Sequence, residues 1–198
     1  MKHYYTDNTD LESKRSSFVY RYKDCNLTFT SDIGVFSKTM IDYGSRVLLE
    51  NIVIDGTKKS LLDVGCGYGT FGISLKKVYP NLNVDMVDVN DRALELCAIN
   101  AKANAIDATI YKSYIYDSVE GKYDYIISNP PIRAGKEVVH KILTDAYKYL
   151  DKEGELWIVI QKKQGAPSAK NKMFEVFGNV EVVKKDKGYY ILMSKKHR

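Results

Sequence analysis

A regular alternation of short apolar runs and helical patterns, from residue 60 to the end, constrains the fold of this chain most strongly. Five apolar runs are typical of buried strands, at residues 61–64, 82–87, 108–111, 123–127 and 156–160. Two further runs, at residues 180–183 and 189–193, lie close together around Gly188, which favours an antiparallel pair. Strands and helices that alternate and close in such a pair predict a doubly wound, seven-stranded α/β sheet with an antiparallel strand at its C-terminal end.

Helical periodicity appears in four of the connections between these runs. The first helix should end before Pro80, and Asp91 is a suitable N-cap for the second. A third helix is expected at residues 136–150 and a fourth near residues 169–177. The side chains that the first three helices should turn to the core are Phe71, Leu75 and Val78, then Leu94, Cys97, Ala98 and Ala101, then Val139, Ile142, Leu143, Ala146 and Leu150.

Residues 1–55 show a different pattern and are too few to build a core of their own. β-rich runs at residues 18–22 and 27–30 predict a hairpin, a turn-rich loop follows at residues 31–37, and a helix begins near Ser45. We therefore expect a single domain over residues 1–198. Residues 56–198 would form its core, and residues 1–55 a small β/α extension or lid.

Composition and charge limit the kind of protein. The first residues contain no apolar leader segment, the strongest apolar run is far too short for a membrane span, and Cys25, Cys66 and Cys97 lack metal-site spacing. These features predict a cytoplasmic protein with neither a membrane nor a metal partner. Of the 30 basic and 25 acidic residues, 10 and 3 lie in residues 161–198, which therefore hold all the excess positive charge. Such an excess fits either a solvated lysine-rich surface or attraction to a polyanion.

A glycine-rich turn at residues 65–69, with the sequence GCGYG, directly follows the first strand of the predicted sheet. Glycine lets the backbone approach a ligand closely, and the next helix begins with amide groups that face it. Asp88 ends the second strand, where an acid can accept hydrogen bonds from ribose hydroxyls. A dinucleotide-dependent enzyme could use these same features. The Gly-x-Gly-x-Gly spacing and the preceding acid Asp63 nevertheless suit a cationic amino-acid group better than a pyrophosphate.

The second motif, Asn129-Pro130-Pro131, follows the fourth apolar run. Each proline removes a backbone donor and fixes φ, so that the strand must end here and the turn is stiff. The turn presents one amide side chain at the carboxyl end of a strand, which is the edge where open α/β sheets bind ligands. The Asn129 side-chain oxygen and the Pro130 carbonyl could accept both hydrogens of a target amine and stabilise the charge that develops on its nitrogen.

These motifs together resemble a class I S-adenosylmethionine-dependent methyltransferase that modifies an amino nitrogen. More narrowly, the chain resembles the RsmC-type ribosomal RNA guanine-N2 methyltransferases, through residues 29–37, 42–45, 129–136 and 163–165. The resemblance extends from about residue 3 to the C-terminus. It implies a Rossmann-like fold, S-adenosylmethionine as the cofactor, and ribosomal RNA or the small ribosomal subunit as the partner.

The resemblance also implies roles for individual residues. The residues expected to bind the cofactor are Phe36, Asp63, Gly65, Cys66, Gly67, Gly69, Asp88, Asn90, Tyr114 and Asn129. Among them, Asp63 and the loop glycines would hold the methionine end, Asp88 the ribose and Asn90 the region near the adenine, while Phe36 would close over the cofactor. The residues expected to act in catalysis are Asn129, Pro130, Pro131 and Ile132. The residues expected to contact the RNA are Arg133, Lys136, Lys163 and Gln164.

The sequence departs from the usual pattern of these families in three places. An aromatic residue commonly follows Asn-Pro-Pro and stacks on the flipped base, whereas this chain has Ile132. An acid commonly contacts the cofactor adenine after the third strand, at the position of Tyr114. Some members carry a degenerate methyltransferase-like half before the catalytic one, and only about 50 residues stand there in this sequence. We therefore expect the catalytic half alone, with substrate docking that depends on a homodimer or on the basic C-terminal region.

Two groups of alternatives stay open at the level of sequence. The target amine could belong to another RNA, to adenine in DNA or to a protein glutamine. The chain could also be a non-catalytic RNA-binding module that retains the fold, although its intact glycine turn argues against this.

Overall fold

Nine strands and five helices make up the part of the chain that the computed structural model describes, residues 13–32 and 40–198. The strands are β1 (Ser16–Tyr22), β2 (Cys25–Ser31), β3 (Ser60–Val64), β4 (Asn83–Asp88), β5 (Thr109–Lys112), β6 (Tyr123–Ser128), β7 (Leu150–Gln161), β8 (Glu181–Asp186) and β9 (Tyr189–Lys195). The helices are α1 (Tyr43–Asn51), α2 (Thr70–Val78), α3 (Asp91–Ala103), α4 (Lys136–Tyr149) and α5 (Ala166–Phe177). Short 3-10 turns follow β6 at Ile132–Ala134 and β7 at Lys162–Gln164.

Strands β3 to β9 form one sheet in the order β5-β4-β3-β6-β7-β9-β8. The first five strands in this order run parallel, and β9 is antiparallel to both of its neighbours, β7 and β8. The predicted doubly wound, seven-stranded sheet with an antiparallel closing strand is therefore confirmed. The chain moves outward from β3 to β5 and then returns to β6 on the other side of β3. A crevice forms beyond the carboxyl ends of the strands at such a reversal.

Two separate layers of apolar side chains cover the two faces of this sheet. Neighbouring residues of β6 alternate between them, with Tyr125 and Ile127 in one layer and Ile126 in the other. The first layer includes buried side chains of α1, α2 and α3, and the second those of α4 and α5. A parallel sheet covered on both faces explains why its strands are continuous apolar runs in the sequence.

Strands β1 and β2 form the predicted hairpin and pair antiparallel, with Tyr22 opposite Cys25. Its open edge is closed by Asn100 of α3 and by Asn104, the C-cap of that helix. Asn100 and Asn104, one helical turn apart, each accept a backbone N–H of β2 and donate to a backbone carbonyl of β2, at 2.7–3.0 Å. These side chains take the place of a neighbouring strand, so the hairpin lies firmly against the first apolar layer.

Helix α3 differs from its prediction in two respects. Asn90, and not Asp91, is the N-cap, because Asn90 is extended and its Oδ1 accepts the Ala93 N–H at 2.9 Å. Asp91 is the first helical residue. Ala98, predicted to face the core, is exposed, since the buried stripe runs instead through Ala93, Leu96, Cys97, Asn100 and Ala101. Among residues 13–32 and 40–198, no helix has the length and apolar content that crossing a membrane requires.

Candidate active site

The glycine turn after β3 adopts backbone angles that favour glycine. Gly65 and Gly69 have φ values of +72° and +103°, in the region that other residues avoid. The amides of Gly65 and Cys66 both donate to the Val87 carbonyl at 2.9 Å, which holds the turn against the end of β4. A Cβ atom built on Gly65 would meet no atom of residues 13–32 or 40–198 within 4 Å, its chain neighbours aside, so none of these residues blocks this side of the turn.

Asp88 joins this turn to the end of β4. Its carboxylate accepts the Gly67 N–H and the Asn90 N–H, both at 2.9 Å, and the side chain is almost fully buried. The acid predicted to bind ribose is therefore held at the carboxyl end of β4, next to the glycine turn. The Asn90 side chain, two residues after Asp88, is fully buried and caps the start of α3.

Asp63 lies beneath the turn with no exposed surface. Its Oδ2 accepts the Gly72 N–H at 3.1 Å, whereas its Oδ1 is buried without a hydrogen-bond partner among the residues that the structure describes. Burial raises the pKa of Asp63 to about 7, the Gly72 hydrogen bond opposes this rise, and the nearby Asp88 charge adds to it. A buried, unpaired carboxylate oxygen is unfavourable unless a cation approaches it. The α-amino group of S-adenosylmethionine is such a cation, so the site fits this cofactor.

Without cofactor, we expect Asp63→Asn to gain stability over the wild type as the pH rises. The pKa of Asp63 in the folded chain lies above its ordinary value, so folding favours the protonated form. The contribution of Asp63 to the free energy of unfolding is fully present below about pH 4 and is lost as the pH rises towards 7. Denaturant unfolding should show that the difference in unfolding free energy grows by about 2 to 3 kcal/mol in favour of the variant between about pH 5 and pH 8. A difference independent of pH would show that Asp63 is ionised throughout.

The Asn-Pro-Pro turn lies at the end of β6, the strand that pairs with β3. The Ser128 hydroxyl donates to the Val64 carbonyl at 2.8 Å and ties the two strand ends together. Asn129 is half-buried, and its Nδ2 donates to Asp42 Oδ2 at 3.0 Å and to Ser45 Oγ at 3.1 Å. Its Oδ1 makes no hydrogen bond within the described part of the chain. The amide is thus held from the side of α1.

One small cleft connects these features. It lies beyond the carboxyl ends of β3, β4, β5 and β6, as expected at the reversal of strand order. The cleft is lined by Val64, Gly65, Asp88, Val89, Ser113, Ile115, Pro131 and Ile142. The tertiary structure therefore brings the glycine turn, Asp88 and the Asn-Pro-Pro turn to one place.

At the end of β5, the predicted cofactor-binding residue Tyr114 lies between two residues that line the cleft. Tyr114 is 42% exposed and does not line the cleft, whereas Ser113 and Ile115 on either side of it do. Ser113 is held by its backbone N–H, which donates to the Asp88 carbonyl at 3.0 Å. Sequence reasoning missed Val89, Ser113, Ile115 and Ile142. Val89 and Ser113 could have been found from the sequence, because each directly follows a strand.

The residues predicted to contact RNA lie on the surface beside this cleft. Arg133, Lys136, Lys163 and Gln164 are all exposed and follow the adjacent strands β6 and β7. Ile132 is partly buried and packs against the second apolar layer. Phe36 falls outside the described residues, so its predicted contact with the cofactor stays a prediction.

These features define a class I methyltransferase. The sheet is doubly wound, a glycine turn follows its first strand, an acid ends the second, and an Asn-Pro-Pro turn follows the fourth. The family model described as "Methyltransferase small domain" matches residues 26–193. The chain belongs to this family of S-adenosylmethionine-dependent methyltransferases, and S-adenosylmethionine is its cofactor.

Two relatives are similar along the sequence. A Bacillus subtilis (strain 168) protein with the name "Uncharacterized protein YbxB" is 46% identical over 198 residues, 98% of each chain. The "Ribosomal RNA small subunit methyltransferase C" of Haemophilus influenzae (strain PittEE) is 38% identical over 138 residues, 68% of this chain and 42% of the relative. The resemblance to the RsmC type is therefore confirmed.

A solved structure shows the same fold. The RsmC enzyme of T. thermophilus, described as a 16S rRNA N2 G1207 methyltransferase in complex with AdoMet and guanosine, superposes with a TM-score of 0.82 at 23% identity. The superposition covers 94% of this chain and 52% of the enzyme. The chain therefore spans about half the length of the ribosomal RNA methyltransferases that it matches.

Proposed function

We propose that this protein transfers a methyl group from S-adenosylmethionine to an exocyclic amino nitrogen, and that its target is guanine N2 in small-subunit ribosomal RNA. The observation that carries the proposal is the state of the Asn129 side chain. Its amide nitrogen is held by Asp42 and Ser45, and its Oδ1 makes no hydrogen bond within residues 13–32 and 40–198. A fixed acceptor at the edge of the cofactor cleft is what an amine substrate needs.

The reaction depends mainly on positioning. The amino group of guanine is a poor nucleophile, because its lone pair is delocalised into the ring. Asn129 Oδ1 and the Pro130 carbonyl would accept its two hydrogens, favour a pyramidal nitrogen and stabilise the positive charge that grows there. When bound, S-adenosylmethionine would supply a methyl group on a positively charged sulfur, so that the N–C bond forms as the S–C bond breaks and the sulfur is left as a neutral thioether. The methylated nitrogen would then lose one of its hydrogens as a proton to solvent. Orientation of two reactants in this way can lower a barrier by about 7 to 11 kcal/mol.

We propose that the residues around the cleft hold the cofactor in a defined direction. Asp63 would pair with its amino group, the loop of Gly65, Cys66, Gly67 and Gly69 would carry its methionine end, and Asp88 would accept from its ribose. Two observations on the described residues support this assignment: the Asp63 Oδ1 is buried without a hydrogen-bond partner, and none of their side chains covers Gly65.

The substrate class is supported by the charge around the cleft. Lys162 and Lys163 follow β7, Arg133 and Lys136 follow β6, and all four are exposed. Lys187, in the turn between β8 and β9, lies near them. The residue after it, Gly188, accepts the Lys162 N–H through its carbonyl at 2.8 Å. This basic rim suits an RNA backbone. Ribosomal RNA is the substrate in the names of the RsmC relatives.

We expect Lys163→Glu to weaken RNA binding while cofactor affinity stays unchanged. Lys163 is exposed beside the cleft, so charge reversal replaces attraction to a phosphate by repulsion. Titration of the RNA at several salt concentrations should show weaker binding and a shallower salt dependence. Lys59→Glu is the matched control, because Lys59 is exposed just before β3, at the opposite edge of the sheet. Equal losses in both variants would contradict a specific role for the rim.

Methylation of ribosomal particles tests the proposed function directly. Small subunits and their naked RNA from a strain that lacks the protein are incubated with it and with labelled S-adenosylmethionine, and the nucleosides are analysed by mass. We expect one N2-methylguanosine. A methylated adenine, a methylated protein glutamine or another RNA target would replace the substrate assignment. Cofactor binding without any methylation would favour a non-catalytic RNA-binding module.

The remaining assignments follow from this proposal. We propose that residues 1–55 serve as a lid or extension to the core of residues 56–198. Ribosomal RNA or the small subunit would be the partner, with docking that depends on a homodimer or on the basic C-terminal region. A cytoplasmic location agrees with Cys25, Cys66 and Cys97, which are all free thiols.

A further inference from the structure

The start of α1 reaches the Asn-Pro-Pro turn from a distant part of the chain. Asp42 is the N-cap of α1, and its Oδ2 accepts the Ser45 N–H at 3.0 Å and the Ser45 hydroxyl at 2.8 Å. The same oxygen accepts from Asn129 Nδ2 at 3.0 Å, and Ser45 Oγ lies 3.1 Å from that nitrogen. The Asp42 carboxylate and the Ser45 hydroxyl, which together cap the start of α1, therefore also bind the side chain of Asn129.

These contacts allow only one orientation of the Asn129 amide. An ionised carboxylate has no hydrogen to donate, and the Ser45 hydroxyl hydrogen is directed to Asp42, so that Ser45 Oγ acts as an acceptor. Both atoms can therefore bind Nδ2 and not Oδ1. A rotated amide would set its oxygen against two acceptors. The Asn129 Oδ1 is kept on the other side of the amide, free of competition from Asp42 and Ser45.

The charge of Asp42 also acts on the acceptor strength of Asn129. Asp42 and Asn129 are both half-buried, where a hydrogen bond to a charged group is stronger than in bulk water. A carboxylate that accepts from Nδ2 draws the amide dipole towards itself and increases the negative charge on Oδ1. The target nitrogen becomes more positive during methylation, so this polarisation favours the transition state over the bound substrate.

The packing of α1 holds the pair in place. A Cβ atom on Gly44 would lie 2.5 Å from the Tyr189 ring and 3.0 Å from a Val159 methyl group, so the backbone here touches β9 and β7 directly. Val47 and Leu48 are buried on the same face of the sheet. The helix start cannot shift away from Asn129 without loss of this contact.

We propose that Asp42 and Ser45 are positioning residues that set the orientation and polarity of the Asn129 amide for amine methylation. This inference rests on the proposed function, in which Asn129 Oδ1 accepts a hydrogen of the target amine. It gives the N-terminal extension a part in the reaction that acts through Asn129, from a position more than 80 residues before the motif.

Asp42→Asn tests the inference, because asparagine is also a good N-cap and keeps the start of α1. We expect kcat for methylation of small ribosomal subunits to fall by about 10- to 100-fold, while the Kd of S-adenosylmethionine stays within about twofold. Nitrogen-15 NMR should show a shift of the Asn129 side-chain signals. Asp186→Asn is the matched control, since Asp186 accepts from the hydroxyl of Tyr43 on the same helix but does not contact Asn129. It should change neither kcat nor the Asn129 signals.

The outcomes separate this inference from the proposed function. Loss of activity in Asn129→Ala together with unchanged kcat in Asp42→Asn would overturn the positioning role alone. Unchanged activity in both variants would overturn the role of Asn129 itself. Ser45→Ala gives a second measurement if Asp42→Asn does not fold, and an unchanged kcat there would likewise overturn the inference. Equal effects of Asp42→Asn and Asp186→Asn would show that Asp42 only supports the helix.

Discussion

Asn129→Ala should abolish methyl transfer while the affinity for S-adenosylmethionine stays nearly intact. The substitution removes the acceptor for the target amine and leaves the glycine turn, Asp63 and Asp88 in place. Removal of one preoriented hydrogen-bonding group from an active site typically lowers kcat by about 100- to 1,000-fold. Single-turnover methylation of small ribosomal subunits measures the rate, and calorimetry with S-adenosylmethionine measures the affinity.

Asn51→Ala is a suitable control for this substitution. Asn51 lies at the other end of α1, where its side chain donates to the Val47 carbonyl at 2.8 Å, far along the helix from Asn129. It should lower stability slightly and leave kcat unchanged. Full activity of Asn129→Ala would mean that the Asn-Pro-Pro turn serves only as a turn, and the mechanism would have to be abandoned.

Asp88→Ala should lose most of its affinity for S-adenosylmethionine. The carboxylate both accepts from the ribose in the proposed binding mode and holds the amides of Gly67 and Asn90. Hydrogen bonds to a charged acceptor contribute about 1.5 to 3 kcal/mol each. Loss of the two hydrogen bonds from the ribose hydroxyls alone should therefore raise Kd by roughly 100-fold or more. Calorimetry at one pH, with circular dichroism to verify the fold, gives the result.

Asp85→Ala controls for the loss of a carboxylate on the same strand. Asp85 lies three residues earlier on β4, accepts from the Tyr123 hydroxyl and does not line the cleft. It should reduce stability without an effect on Kd. If Asp88→Ala bound the cofactor as tightly as Asp85→Ala, the ribose assignment would be wrong.

The succession of strands and helices could be predicted because it depends on local features. Each apolar run between turn residues became a strand, and the helix after the prolines buries the predicted residues Val139, Ile142, Leu143 and Ala146. The errors arose where a local pattern permits two solutions. Asn90 and Asp91 are both good N-caps, and the tertiary position of the chain after β4 selected Asn90.

The parts of the candidate site that follow a strand directly could also be predicted from the sequence. The glycine turn, Asp88 and the Asn-Pro-Pro turn each follow a strand, and parallel strands bring such positions to one edge. The sequence suggested Tyr114 on the pattern of relatives, but the chain at the end of β5 turns Ser113 and Ile115 to the cleft. That choice depends on the backbone of the turn, in which Ile115 has a φ of +53°.

The sequence by itself determined which groups stand at strand ends, because apolar periodicity and proline or glycine chemistry act over a few residues. The tertiary structure alone decided that β3 pairs with β6, and that Asp42 and Ser45 meet Asn129 across 87 and 84 residues. Such contacts depend on which distant surfaces pack together. Here the close approach of Gly44 to Tyr189 sets α1 on the sheet and thereby fixes the amide that the Asn-Pro-Pro turn presents.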